Sequence, residues 1–128
     1  MAITIFFEHE FPGLNEHITE ERRNRFKGGK LKKTETEWVK YTCQRLKIPP
    51  ILNYPVQVRF SWYIRNKKKD LDNIVFAKKY ILDGLVKAGV LKGDGQKYIN
   101  FISDVKFVIG KRIPDEYGVE VQICHGNI

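Results

Sequence analysis

The sequence predicts a two-layer α+β domain, with about four mostly antiparallel strands and two main helices. Three observations carry that prediction. Four short stretches, residues 1–8, 56–64, 99–109 and 117–124, are rich in β-branched and aromatic residues. A longer stretch, residues 73–88, repeats its apolar residues at helical spacing. A second helix is announced by Thr34 followed by Glu37, the pattern of a capping box. The 128 residues suit a single domain with one core.

Residues 1–8 set Ile3, Ile5 and Phe7 against Ala2, Thr4 and Phe6, the alternation of a strand, and Phe11-Pro12-Gly13 ends it. Residues 14–33 lack apolar periodicity and carry Arg22, Arg23, Arg25, Lys27, Lys30, Lys32 and Lys33 around Gly28-Gly29. This stretch reads as a mobile basic loop, either an arm that grips phosphates and orders on DNA or a solvated surface loop. From Thr34 onward, Trp38, Tyr41, Thr42 and Leu46 mark a helix that Pro49-Pro50 stops, with Trp38 as a core anchor. Val56, Val58, Phe60 and Tyr63 suggest a central strand that leads directly to Asn66. Two further strands, 99–109 and 117–124, are joined by a bend at Pro114-Asp115.

The net charge of +8 points to a polyanionic partner. Charge alone does not separate nucleic acid from an anionic membrane, but no basic amphipathic helix with a broad aromatic face favours the membrane. No apolar run approaches the roughly 18 residues of a membrane span, and the first residues do not have a signal-peptide profile. The expectation is a soluble, cytoplasmic protein without a small-molecule cofactor. Cys43 and Cys124 have no metal-site spacing and are expected to remain thiols. His9, His17 and His125 are scattered, which argues against zinc ligation and against a histidine-based triad.

The chemistry concentrates in Asn66-Lys67-Lys68-Lys69-Asp70-Leu71-Asp72-Asn73 and in Asp94, which stands between two glycines. In an extended segment Asp70 and Asp72 project to one side, where two carboxylates can hold a hard cation such as Mg²⁺ with waters and phosphate oxygens. The alternative is that Asp72-Asn73 simply caps the following helix. In that helix Ile74, Ala77, Ile81, Leu85 and Ala88 form one stripe, while Lys79, Asp83 and Lys87 lie on the face that carries Asp72. Lys79 either reaches toward a bound phosphate or pairs with Asp83 at i,i+4. Asp83 is about 16 Å of helix rise from Asp72, too far to share its metal.

The series Lys67 to Asn73, Lys79, Leu82-Asp83-Gly84-Leu85, Lys87-Ala88-Gly89 and Asp94-Gly95-Gln96 resembles the core of the RusA-type Holliday junction resolvases. Residues 67–96 resemble it closely, and the remainder matches in length and element order. Asn15 is a weak further match. The resemblance implies a Mg²⁺-dependent, homodimeric endodeoxyribonuclease that resolves four-way DNA junctions by paired symmetric nicks in recombination and repair. It also implies that Asp70, Asp72 and Asp94 are catalytic metal ligands. A catalytic lysine matches Lys79 once extra residues are placed after Asn73, since Phe76 occupies the ungapped position. Arg65, Lys67, Lys68 and Lys69 would hold the DNA backbone, as would Arg22, Arg23, Arg25, Lys27 and Lys30 of the basic loop.

Two rival functions stay open: a non-catalytic basic DNA-binding module, and a magnesium nuclease acting on other branched DNA or on RNA. A continuous helix over residues 72–88 would rise about 24 Å, and the following residues return at most about 20 Å by Asp94. Either the helix is shorter or bent near Gly84, or Asp94 belongs to a site completed by the partner subunit; the second is the expectation, since a two-fold dimer would build two such sites together and so explain paired nicks.

Overall fold

The computed structural model describes residues 2–113 and 116–126. The chain forms two compact units, one of Met1–Glu10, Ile51–Lys68 and Lys92–Ile128, the other of Phe11–Pro50 and Lys69–Leu91. Among the described residues all four strands lie in the first unit and all the helices in the second, so the α+β class expected from the sequence is present.

In the sheet unit, β1 (Ala2–Phe7) pairs antiparallel with β4 (Gly118–His125), and β4 pairs antiparallel with β2 (Val56–Ile64). β3 (Ile99–Ile109) runs parallel to β2, which gives the order β1-β4-β2-β3. The sheet is mixed because the long connection from β2 to β3 lets β3 run in the same direction, which a hairpin cannot do. β2 has the predicted bounds and is an inner strand, as its apolar pattern requires. Ile5 and Phe7, Val56, Val58 and Phe60, and Val119, Val121 and Ile123 are buried at alternate positions. The Trp62 indole donates to Asp104 Oδ1 at 2.9 Å, so its N–H is satisfied although the residue is buried. The bend expected at Pro114-Asp115 lies outside the described residues; Arg112 and Glu116 form a β-bridge on either side of it.

In the helical unit, α1 (Leu14–Arg23) and α2 (Arg25–Arg45) replace the expected loop over residues 14–33. Local bonds account for helix where apolar periodicity is missing. Thr19 donates to Asn15 O at 2.8 Å, His17 pairs with Glu21 at 2.9 Å, and Asn24 Oδ1 caps α2 by accepting from Phe26 N at 2.8 Å. Gly28 is in place for close approach, because a Cβ there would stand 2.4 Å from Glu21 Cγ. α1 buries none of its residues, which is why no stripe marked it. Thr34 is interior to α2, so the Thr34/Glu37 pattern caps nothing; the helix runs to Arg45, short of Pro49-Pro50 as expected.

The predicted continuous helix over residues 72–88 is two segments, α3 (Leu71–Val75) and α4 (Lys78–Lys87). The break falls at Phe76 and Ala77, not near Gly84. The stripe survives it: Ala77, Ile81 and Leu85 are buried. Gly84 serves contact between helices, since a Cβ there would stand 2.4 Å from Val39 Cβ and 2.9 Å from Thr36 O. Gly84→Val is therefore expected to overpack this contact and cost about 1–3 kcal/mol. Calorimetry should show Tm lower by about 4–12 °C; an unchanged Tm would show that the helices can part freely. Cys43 is buried and Cys124 half-buried, both as thiols. Among the described residues no helix is long and apolar enough to cross a membrane.

Candidate metal and nucleic-acid site

Asp70 is the N-cap residue of α3, with extended backbone (φ −66°, ψ 153°), and its carbonyl accepts from Asn73 N and Ile74 N at 3.1 and 3.2 Å. Its carboxylate makes no capping hydrogen bond. Asp72 lies in the first turn of α3, and both acids are exposed. The strand-like alternation expected for Asp70-Leu71-Asp72 is thus replaced. The chain turns helical at Leu71, so Asp70 projects from the cap and Asp72 from the helix.

Asn73 is 8% exposed, and its Oδ1 accepts from Asn15 N at 2.9 Å, tying the start of α3 to α1. Lys69 pairs with Glu16, whose Oε1 also accepts from Gly13 N at 3.3 Å. The first turn of α1 therefore holds the acid segment from both ends. Asn73→Ala would leave the part-buried Asn15 N–H without its acceptor, at a cost of about 1–3 kcal/mol. Urea denaturation should show a lower midpoint at unchanged slope.

Lys79 is exposed, with its Nζ 3.9 Å from Asp83 Oδ2, and the same oxygen lies 3.5 Å from Lys32 Nζ. Asp83 is the pairing residue that the sequence indicates. Beside Lys79, Tyr80 is fully buried among Phe11, Phe76 and His17, a cluster that sequence reading missed. Its hydroxyl lies 3.1 Å from His17 Nδ1, and His17 Nε2 lies 2.9 Å from Glu21 Oε1. A carboxylate only accepts, so in the neutral ring Nε2 carries the proton and Nδ1 accepts from Tyr80. Burial foremost, then the charges of Glu35, Glu16 and Glu21, push the Tyr80 phenol up to about 12. The only sequence signal for this cluster was the i,i+4 spacing of Phe76 and Tyr80.

Arg22 and Arg23 lie in the last turn of α1, with Arg23 3.8 Å from Glu20. Arg25, Lys27 and Lys30 lie in α2; all five are exposed. The basic arm is thus helical and presents its cations from two successive helices.

The sheet unit holds the remaining candidates. Arg65 pairs with Glu10, and its Cζ lies 4.3 Å from the centroid of the Tyr117 ring. Lys67 and Lys68 are exposed, and Lys68 N donates to Asn66 Oδ1 at 2.9 Å. Asp94 is exposed in the turn before β3, where Gly95 O accepts from Tyr98 N and Ile99 N at 2.9 and 3.0 Å. Among the described residues no three His, Cys, Asp or Glu side chains gather into a metal-holding group. The structure thus places Asp70 and Asp72 on one short segment of the helical unit and Asp94 in the sheet unit. No protein-family model matches the chain, and no curated protein matches it.

Proposed function

We propose that this protein is a Mg²⁺-dependent, structure-specific endodeoxyribonuclease that resolves Holliday junctions by paired symmetric nicks in DNA recombination and repair. The observation that carries the reading is the acid segment. Asp70 stands at a helix N-cap without capping it, Asp72 follows in the first turn, and the neighbouring Lys69 is paired with Glu16. Acids present only to cap a helix or to offset adjacent lysines would be engaged in those tasks. Exposed carboxylates with open access to water suit magnesium, which takes one or two carboxylates and keeps several waters.

Asp70 and Asp72 would hold the ion, with Asp94 as a third ligand assigned by resemblance. The chemistry supplied by bound magnesium is polarisation of a phosphoryl oxygen and a lowered pKa for water. Lys79 stabilises charge that develops on the phosphate, as its exposed ammonium permits. Lys67, Lys68, Lys69 and Arg65 hold the strand near the scissile bond, and the cations of α1 and α2 grip further phosphates.

The protein acts as a homodimer in the cytoplasm. Edge strand β3 supports the dimer, because Phe101, Ile102, Val105 and Ile109 stand exposed on a strand with one unpaired side. Asp94 precedes that strand closely, and we assign it to the site of the partner subunit, which would couple the two nicks.

The reading is tested with a labelled four-way junction and matched linear duplex, each with and without Mg²⁺. Symmetric nicks in the junction alone, dependent on metal, support it. Tight binding without cutting would make the protein a DNA-binding module. Equal cutting of flapped DNA or RNA would make it a broader nuclease.

A further inference from the structure

One face of the sheet unit carries cations set against aromatic rings. Phe6 pairs with Glu120, Glu120 with Ser61, and Ser61 with Lys106, so these four residues lie side by side across one face. Tyr63, two residues beyond Ser61, shares that face, and its ring centroid lies 6.2 Å from that of Phe6. Lys106 Nζ lies 5.7 Å from the Tyr63 centroid. Arg112 Cζ lies 4.5 Å from the Phe6 centroid, and its Nε lies 3.1 Å from Glu120 Oε2. At Tyr117 two more cations converge, Arg65 Cζ at 4.3 Å and Lys111 Nζ at 5.5 Å. The apolar residues of the opposite face, such as Phe7, Phe60 and Val121, are buried, whereas on this face Lys106 is exposed, Phe6, Tyr63, Arg112 and Glu120 are half-buried, and Ser61 is covered among them.

We propose that this face is a second nucleic-acid docking surface, which takes the phosphodiester backbone of a strand along Lys106, Arg112 and Lys111. Cation–π contact fixes each cation in place, worth about 0.5–1 kcal/mol at an exposed site. A cation so held loses less freedom when a phosphate arrives. Glu120 sits against Arg112 and tempers the charge, which suits release as well as capture. An anionic membrane is the poorer match, because the rings are half-buried and engaged with cations, and do not stand out for insertion.

The inference rests on the proposed function only in taking the polyanion to be nucleic acid. Its test is therefore binding in chelator, where no cutting occurs. Fluorescence anisotropy would follow a labelled single strand and the same sequence as duplex between about 50 and 200 mM salt, for wild type and K106Q/K111Q. Losing two phosphate contacts should reduce the slope of log K against log salt by about 1.8 on duplex or about 1.4 on single strand. Whichever probe shows its reduction identifies the form of strand bound. E120Q, which frees Arg112, should tighten binding of the same probe severalfold. Unchanged slopes and affinities in K106Q/K111Q, at wild-type Tm, overturn the proposal even if the junction is still cut. So does a defect confined to vesicles containing phosphatidylserine. Conversely, a reduced slope in a protein that never cuts DNA would sustain this surface while the nuclease reading fell.

Discussion

Asp72→Asn should lower junction cleavage by at least about a hundredfold while junction binding persists or tightens. The magnitude follows from role: even partners that merely orient a metal ligand cost about 10–100-fold when lost, and a ligand itself costs more. The direction of the binding change follows from charge, because an exposed carboxylate repels phosphate and the amide does not. The fold should be spared, since Asp72 is exposed and lies in a five-residue helix. Asp70→Asn should behave alike, because its carboxylate makes no capping bond that the substitution would remove. Single-turnover cleavage read beside anisotropy separates the outcomes. Weaker binding with an unchanged cutting rate in the bound fraction would contradict the ligand role.

The largest stability effect is expected at Tyr80. Tyr80→Ala removes a fully buried ring and should cost about 3–5 kcal/mol, a large part of a total stability of about 5–15 kcal/mol. Tyr80→Phe keeps the ring and loses only the bond to His17, at about 1 kcal/mol. The pair also carries a pH signature. The phenol is raised from 10.0 to about 12, so the folded chain keeps a proton that the unfolded chain gives up. That stability is complete below pH 10 and is lost as pH rises toward 12. Burial likewise raises the Cys43 thiol from 9.0 to about 11, which places its loss between those values. Denaturation between pH 8 and 12 should therefore show an alkaline decline whose upper part Tyr80→Phe flattens and whose lower part Cys43→Ala flattens. A decline that neither substitution alters would place both groups outside the packed core.

Legibility in the sequence followed the kind of force at work. β2 could be placed residue for residue because its alternating apolar residues are buried in the sheet. The Ala77, Ile81 and Leu85 stripe was legible for the same reason. α1 was not, because side-chain bonds such as Thr19 to Asn15 O hold it and no buried face marks it. The break at Phe76 and Ala77 was hidden as well, since neither residue disfavours a helix strongly. The acid pair was visible as residue types but not as geometry: spacing implied an extended segment, and the turn into α3 at Leu71 changed how the two carboxylates are presented. The supports of that segment, Asn15 and Glu16, lie far from it in sequence and meet it only in the fold.

Asp72 is proposed to contact the divalent ion directly, and a change of metal preference tests that contact most closely. Asp72→Cys replaces a hard oxygen ligand by a soft thiolate, which magnesium tolerates poorly and cadmium accepts. Cleavage of the four-way junction by this variant should vanish in Mg²⁺ and recover in part in Cd²⁺, whereas wild type keeps its preference for Mg²⁺. Wild-type cleavage by Asp72→Cys in Mg²⁺ would contradict the account and return Asp72 to the part of a helix-terminal acid.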